Sequence, residues 1–424
     1  MHSPISPAKP NVATEERKRF NLTTFSSLQY RDFRFLWGST FFTAAGNWIQ
    51  QITLGWLVYH LTSSAFLTGA ISGVRALPFL FVGPIAGVIA DRVDRKLLLI
   101  VNHALLGLLG LIFALLIAFD LIQVWHIFVF GFLSGVLWSM NNPVRQTLVP
   151  ALVPRQALMN AIALNSAAFN LTRMLGPALG GLLIVAFGPA TNFFIQCVAY
   201  MAVTLMVLPM RIPAKARSEA PSKSVVADLK DGLRYVAKEP TTLALVLVGL
   251  IPSIFMMPFT QGLMPVFAKE ALHVDADGLG IIYAAAGVGA FVGTMTLASL
   301  SSISRKGILM IAAASIAGLS LMAFSEIAWL PLAIVVIAIQ GGFQMVYNST
   351  NNTVLQIITP DEYRGRVMSI YMLDHGLAPL GSFFAGAVAE FAGVRLAMLA
   401  GGGITLLLVL LLATRSKELV RFKE

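Results

Sequence analysis

Charge is scarce in this chain. Of its 424 residues only 12% are Asp, Glu, Lys or Arg, whereas 57% are hydrophobic. Soluble domains usually contain about 25% charged residues, so the composition excludes an ordinary globular protein. It indicates a protein with many membrane-spanning segments.

Cysteine is almost absent. Cys197 is the single cysteine of the chain, which excludes an internal disulfide framework. Because it lies inside an apolar run, it is expected to be a small packed residue rather than a redox group.

Signatures of several other classes are missing as well. The sequence contains no Gly-Lys pair and therefore no phosphate-binding loop, which excludes an ATP-driven pump. Its six histidines are scattered and form no His-Glu-x-x-His pattern, so no metal or other cofactor is expected. The net charge is +10, but the basic residues do not alternate with aromatic residues on a soluble module, so nucleic acid is not an expected partner.

Apolar stretches recur along the whole chain. At 1.5 Å per residue, about 20 residues cross the hydrocarbon core of a bilayer. Twelve stretches, numbered here as spans 1 to 12, begin near Phe33, Phe66, Leu97, Gln123, Asn160, Ala190, Thr241, Gly278, Gly307, Trp329, Val367 and Val394. We therefore predict an all-α membrane protein with twelve transmembrane helices and with both termini on the same side.

Lysine and arginine are distributed unevenly. All but five of the 30 lie in the two tails or in the loops on the same side as the tails. The five exceptions are Arg75, Arg145, Arg173, Lys269 and Arg395. Since basic loops face the cytoplasm, both termini are predicted there. On the other side, an aromatic belt is predicted at Trp56, Tyr59, Trp125 and Trp329.

The longest connection between spans divides the chain near its midpoint. Within it, Val225, Leu229, Leu233 and Val236 recur at helical spacing, which predicts an amphipathic helix on the inner membrane surface. A solvated helix that covers the two halves fits the pattern equally well. The predicted organisation is a cytoplasmic tail (1–32), a six-span half (33–209), a linker (210–240), a second six-span half (241–413) and a cytoplasmic tail (414–424).

Part of the sequence repeats after 210 residues. Asn141-Asn142, Val144, Gln146 and Pro150 of span 4 reappear in and after span 10 as Asn351-Asn352, Val354, Gln356 and Pro360. Spans 4 and 10 are therefore equivalent, and the two halves are predicted to be related by pseudo-symmetry.

Two short motifs point to a family. The connection between spans 2 and 3 reads Gly87-Val88-Ile89-Ala90-Asp91-Arg92-Val93-Asp94-Arg95-Lys96, and span 5 contains Gly176-Pro177-Ala178-Leu179-Gly180-Gly181. The first resembles the loop signature of the major facilitator superfamily of secondary transporters, and the second resembles a motif of its proton-coupled exporters. The run from Asn160 to Pro177 is similar to the exporter branch that contains the enterobactin exporter and macrolide efflux proteins. Asp94 departs from the loop signature, which usually has a second glycine there.

This resemblance implies a fold whose two halves give alternating access to a central cavity surrounded by spans 1, 4, 7 and 10. It implies proton-coupled export of a small molecule across a bacterial inner membrane. We expect the partners to be that molecule, protons and the lipid bilayer, and we expect a monomer that is not an enzyme. The alternative is an importer of the same fold, which the motif in span 5 disfavours, and a membrane enzyme or receptor is a distant third.

The resemblance also implies gating roles in the loop between spans 2 and 3. Asp91 is expected to dock against the N-terminal end of span 11, where the helix dipole favours negative charge. Gly87, Arg92 and Arg95 are expected to support it.

Further gating candidates lie within spans. Arg145 is near the cytoplasmic end of span 4 and is predicted to brace a gate or a loop. Gly176, Pro177 and Gly180 of span 5 are expected to allow the close helix approach that gating requires.

Polar and aromatic side chains inside spans are candidates for substrate binding. An ionisable group near mid-membrane costs at least about 2.5 kcal/mol, so it must face a cavity or a partner. The candidates are Arg173, Arg75, Asn170, Trp48, Trp138, Asn142, Gln344 and Asn348. For the arginines a structural brace is an equally good interpretation, and for the tryptophans core packing is the commoner role. Asn47, Gln50 and Gln51 form a further polar cluster in span 1.

Asp374 is the acid that lies well inside a span, and it is the candidate for proton coupling, with a static ion pair as the alternative. Three arginines within spans against this one acid predict an electropositive cavity. The sequence therefore favours a small amphipathic anion, such as a siderophore-like metabolite, over a cationic drug.

Overall fold

The computed structural model describes residues 25–212, 225–299, 305–371 and 374–415. Within these ranges the side chains at 83–92, 142–143, 225–229, 361, 369 and 374–375 lie outside the description. The described chain is almost entirely helical, as the apolar periodicity predicts.

The N-terminal half is built from long antiparallel helices that follow a short 3-10 turn, Ser26–Gln29. They are α1 (Arg31–Thr62), α2 (Ala65–Arg92), α3 (Arg95–Ala118), α4 (Val124–Leu152), α5 (Arg155–Phe187) and α6 (Pro189–Val207). We call the end of the bundle at which α6 ends the linker end, and the end at which α1 meets α2 the opposite end.

The linker contains helix α7 (Val225–Lys238). Val236 is buried against the C-terminal half, and the ring of Tyr235 stacks on that of Tyr363 with their centroids 4.4 Å apart. Gly232 lies against Arg366 and Ile370. The amphipathic helix is therefore packed on the C-terminal half.

The C-terminal half begins directly after α7. Its elements are α8 (Pro240–Phe255), a π-helical turn (Pro258–Gly262), α9 (Met264–Glu270), α10 (Ala276–Ser299), α11 (Lys306–Ser325), α12 (Leu330–Ile358), α13 (Asp361–Tyr371), α14 (Asp374–Ala392) and α15 (Val394–Arg415). Span 7 is thus α8, the π turn and α9 rather than one helix. Pro252, Pro258 and Pro265 lie along it, and each lacks the N–H that a continuous helix needs.

Local signals explain several of the tight connections. The Asp94 carboxylate accepts hydrogen bonds from the backbone N–H groups of Lys96 (2.7 Å) and Leu97 (3.1 Å), so it caps α3. Gly188 joins α5 to α6 with a φ of 80°, a conformation that disfavours a residue with a Cβ. Asp94, which departs from the family's loop signature, therefore has a local structural role as the cap of α3.

The two halves contact each other through equivalent helix pairs. Helix α2 packs on α14, and α5 packs on α10. Glycines allow the close approach, because a Cβ on Gly69 would lie 2.8 Å from the Cα of Gly386. In both halves, apolar side chains are also exposed on the outer surface, as on the face of α3 formed by Leu97, Val101, Leu105, Leu108 and Ile112.

This outer surface suits a bilayer. Ten segments of the described chain are long and apolar enough to cross a membrane. Helix α1 is longer than most of them, and α14 adds the shorter apolar stretch Gly376–Ala392. The predicted all-α, two-half membrane architecture is confirmed.

Candidate substrate site

A cavity of about 290 Å³ lies between the two halves. Its walls come from α1, α2, α4 and α5 on one side and from α8, the π turn and α14 on the other. The lining residues that carry the chemistry discussed below are Asn47, Trp48, Gln51, Arg75, Trp138, Phe169 and Gln261. Helix α12 does not line it among the described residues, although the family resemblance implies span 10 at the cavity.

Arg75 of α2 lies in this wall as predicted. One of its Nη groups donates a hydrogen bond to the side-chain oxygen of Asn47 on α1. Its Nε is buried and has no hydrogen-bond partner among the described residues. The guanidinium is therefore held by a neutral amide, and no described acid forms an ion pair with it.

Trp48 separates this cavity from a second one of about 40 Å³ and lines both. On the side of the smaller cavity, the guanidinium carbon of Arg173 lies 5.9 Å from the centre of the Trp48 ring, which is a cation–π geometry. Phe169 packs edge-on to Trp48 at 6.0 Å. No hydrogen bond or ion pair of Arg173 is found in the described part of the chain.

An amide pair stands beside Trp48. Gln51 of α1 donates from Nε2 to the side-chain oxygen of Gln261 in the π turn over 3.1 Å, and both residues line both cavities. The backbone at Gln261 is held by the Tyr283 hydroxyl, which donates to its carbonyl oxygen over 2.6 Å. Sequence reasoning found Gln51 but missed Gln261. The 210-residue repeat could have identified Gln261, since this residue lies 210 positions after Gln51.

The other predicted substrate residues are distributed between the cavities and the surface. Trp138 lines the larger cavity and Gln344 lines the smaller one, where it accepts from Gln340 over 3.4 Å. Asn170 does not line either cavity, and Asn348 is exposed. The side chain of Asn142 lies outside the described part of the chain.

Gln50 has a different role from its neighbour. It is fully buried within the N-terminal half, donates to Ser134 over 3.0 Å and accepts from Gln196. One residue along a helix turns the side chain by about 100°, so Gln50 points away from the cavity that Gln51 lines. The polar cluster predicted in span 1 is thus divided between the cavity wall and the core of the N-terminal half.

Arg145 is enclosed by neutral acceptors. It donates to Asn141 (3.0 Å), to the hydroxyls of Thr40 (2.8 Å) and Thr43 (2.7 Å), and to the carbonyl oxygen of Ser39 (3.4 Å). These residues belong to α1 and α4 of the same half. Arg145 therefore braces the N-terminal half, and none of the described residues bonded to it carries a negative charge.

The exporter motif of α5 has two faces. A Cβ on Gly176 would lie 2.8 Å from the Cβ of Trp48, and a Cβ on Gly180 would lie 2.9 Å from a methyl group of Ile52, so both pack on α1. The carbonyl oxygen of Pro177 faces Gly280 of α10, in the other half. One motif therefore sets the position of Trp48 and the distance between the halves.

The remaining gating and coupling candidates are only partly described. Arg95 is the first residue of α3 and is half-buried. The side chains of Gly87, Asp91, Arg92 and Asp374 lie outside the described part of the chain, so their predicted roles stay predictions.

Hydrogen bonds close the opposite end of the bundle. Trp56 Nε1 donates to the Asp275 carboxylate over 2.8 Å, and the Tyr59 hydroxyl donates to Glu270 over 2.6 Å. Glu390 accepts from the hydroxyl of Ser64 (3.1 Å) and from a backbone N–H of α2 (2.9 Å). Trp56 and Tyr59, predicted as part of an aromatic belt, therefore join the two halves.

The walls of both cavities are electropositive. None of the described lining residues is Asp or Glu, whereas Arg75 lines one cavity and Arg173 the other. In the described part of the chain, the indole N–H groups of Trp48 and Trp138 are buried without hydrogen-bond partners. The site therefore offers positive charge beside aromatic surfaces.

A family model described as transmembrane secretion effector matches residues 22–423 of the 424. The chain belongs to this branch of the major facilitator superfamily. Membership rests on nearly the whole chain, and it establishes that the protein is a transporter and not an enzyme.

Three relatives illustrate the branch. The staphyloferrin A transporter of Staphylococcus aureus is 26% identical over 85% of this chain and 90% of its own length. The multidrug efflux pump Tap of Mycolicibacterium fortuitum is 26% identical over 84% and 88%, respectively. The enterobactin exporter EntS of Escherichia coli O1:K1 is 28% identical over 87% of both chains.

Solved structures support the same fold. The nucleoside transporter NupG (D323A mutant) superposes with a TM-score of 0.74 at 13% identity, covering 90% of this chain and 99% of that one. A bacterial homologue of the lysosomal transporter Spinster, in an inward-facing and unoccupied conformation, gives 0.72 at 15% identity, covering 92% and 98%. This secretion effector thus has the fold that its sequence motifs predict.

Proposed function

We propose that this secretion effector exports a small amphipathic anion, such as a siderophore-like metabolite or an acidic drug, across a bacterial inner membrane. The observation that carries the proposal is the cavity itself. Its described walls present Arg75, Trp48 and Trp138, with Arg173 behind Trp48, and contain no acid. A cavity of this charge attracts anions, and its aromatic faces favour a partly apolar body.

The relatives support the same class. Two of them are named for siderophores, and a third is named as a multidrug efflux pump. Export is favoured over import by those names and by the exporter motif in α5. A monomer is sufficient, because one chain supplies every wall of the cavity.

The linker end is proposed to face the cytoplasm, since most of the basic residues of the loops and tails lie there. With the opposite end closed by Trp56, Tyr59 and Glu390, the cavity is then proposed to be reached from the cytoplasm. Substrate enters from the cytoplasm in this state. The halves next rock so that the opposite end opens, and proton entry through Asp374 resets the cycle.

The test compares an anion with a cation. Cells that do or do not express the protein are loaded with 5-carboxyfluorescein or with ethidium, and efflux rates are measured. We expect expression to accelerate efflux of the anion, and Arg173→Gln to slow it about tenfold, the loss expected for one charge-assisted contact. Arg155→Gln, on the exposed start of the same helix, is the matched control. Accelerated efflux of ethidium alone would contradict the proposal.

A further inference from the structure

The two cavities meet at one side-chain contact. Gln51 and Gln261 line both of them and are joined by the 3.1 Å hydrogen bond between their amides. Arg75 lines the larger cavity and Arg173 lines the smaller one. The amide pair and Trp48 therefore separate two positively charged compartments.

The pair is placed where the halves are related to each other. Gln51 and Gln261 are equivalent positions of the repeat, so a contact between them lies close to the pseudo-symmetry axis. Rocking opens one end of the bundle and closes the other, so side chains near the middle of this axis move less than those at its ends. Gln51 lies near the middle of α1. The pair is therefore suited to a role in ligand binding in both conformations rather than to opening one end.

Each amide keeps one group for a ligand. In the described structure neither the side-chain oxygen of Gln51 nor the Nε2 of Gln261 has a hydrogen-bonding partner. The π turn holds the backbone of Gln261 through Tyr283, whereas the described hydrogen bond of its side chain is the one to Gln51. Breaking that single neutral bond releases both amides at a cost of about one hydrogen bond.

The two volumes suit different parts of one ligand. A water molecule needs a cavity volume of about 10–15 Å³. The cavity of about 40 Å³ therefore takes a group no larger than a carboxylate with one water molecule. The cavity of about 290 Å³ is near the lower end of the range for small-molecule sites. It accommodates an aromatic body between Trp48 and Trp138.

We infer that Gln51 and Gln261 form an amide gate between the two compartments of one binding site, and that the ligand is an aryl carboxylate. Its ring occupies the larger cavity, and its carboxylate passes the separated amides to reach Arg173. The inference deepens the proposed function and rests on it, because it specifies how an anion is recognised. It adds Gln51 and Gln261 as specificity-determining residues.

The test uses two probes of nearly the same shape, 1-naphthylacetate and its neutral amide, 1-naphthylacetamide. Binding to the purified full-length protein in nanodiscs is measured by calorimetry for the wild type, Gln51→Met, Arg173→Gln and the double variant. We expect the wild type to prefer the acid about tenfold, and either single variant to remove that preference while changing amide binding less than twofold. In the double variant no further loss is expected, since both residues act on the same carboxylate.

Gln356→Met, on an exposed part of α12, is the matched control and should bind like the wild type. Gln261→Met provides an independent variant should Gln51→Met fail to fold. Additive losses in the double variant would overturn the gate, as would a preference for the acid that survives Arg173→Gln and is lost in Arg75→Gln. A wild type that binds both probes equally would instead contradict the proposed anion selectivity.

Discussion

Gly55 of α1 lies directly against Pro265 of α9: a Cβ added to Gly55 would be 2.9 Å from the proline Cγ. These two residues are 210 positions apart in the chain, as are Gln51 and Gln261 one turn away. The first helices of the two halves therefore meet along the pseudo-symmetry axis. The halves are proposed to rock against each other at this contact, and the hydrogen bonds at the opposite end decide which side is closed.

Removing the aromatic hydrogen bonds should weaken that closure. In the double variant Trp56→Phe, Tyr59→Phe the rings are kept, but the bonds to Asp275 and Glu270 are lost at about 1 kcal/mol each. Together these losses should raise the ratio of molecules open at the opposite end to molecules closed there by roughly thirtyfold. Spin labels placed on the two halves and measured by electron paramagnetic resonance report the distance. Trp125→Phe is the control, because Trp125 bonds to Gln123 within its own half.

The hydrogen bond from Trp56 to Asp275 predicts that closure of the opposite end does not depend on pH near neutrality. The Trp56 indole lowers the pKa of Asp275 by donating to the carboxylate, and a backbone N–H and Lys269 act in the same direction. A lowered pKa means that this stabilisation is complete above the unfolded value of about 3.9 and is lost only as the pH falls further. Closure through Trp56 should therefore be constant between pH 5 and 8. A spin-label distance that changes with pH in that range because Asp275 titrates would disprove this.

Gly181 should be essential for the close packing of α5 against α10, which brings the two halves together. A Cβ at this position would lie 2.2 Å from the carbonyl oxygen of Ala276 in the other half, and that backbone atom cannot rotate away. Overpacking of this kind typically costs about 1–3 kcal/mol. We expect Gly181→Ala to lower the efflux rate at least fivefold with normal amounts of protein in the membrane. Gly403→Ala, where a Cβ meets nothing within 4 Å, should transport at the wild-type rate.

Asp91→Asn tests the gating role of the loop between α2 and α3. If the carboxylate docks on the N-terminal end of span 11, its loss should shift the population toward the inward-open state without changing expression. Labelling of single cysteines on the two faces of the bundle measures the shift. Asp94→Asn is the comparison, because asparagine preserves the cap of α3. Identical labelling of Asp91→Asn and the wild type would refute the role.

Asp374→Asn tests coupling. The neutral amide keeps the shape of the acid but cannot release a proton, so uphill export should be lost while substrate still binds. Transport into inverted vesicles is compared with and without an imposed pH gradient, and binding is measured separately. Gradient-driven transport by the variant at the wild-type rate would place coupling elsewhere.

The helical architecture and the two halves could be predicted because apolar length and the 210-residue repeat are local properties of the sequence. Arg75, Arg173 and Trp48 could be predicted to line cavities because a charge at mid-membrane is costly and a tryptophan there is conspicuous. Gln261 could not be placed in the same way, since its position depends on the π turn that interrupts span 7. Likewise, Gln50 and Gln51 are indistinguishable in composition, and the packing of α4 and α6 around Gln50 decides which of them lies in the core.

The attachment of α7 has a mechanical consequence. Val236 and the Tyr235–Tyr363 stack fix this helix to the C-terminal half. Met210 is buried in the N-terminal half, and the backbone N–H of Arg211 donates to Asp32 there, so the connection between the halves is reduced to the 12 residues 213–224. At about 3.3 Å per residue, 12 residues can extend over about 40 Å, which leaves the halves room to rock. The linker helix then moves together with the C-terminal half. A crosslink from α7 to the N-terminal half should therefore block transport, whereas a crosslink from α7 to α13 should not.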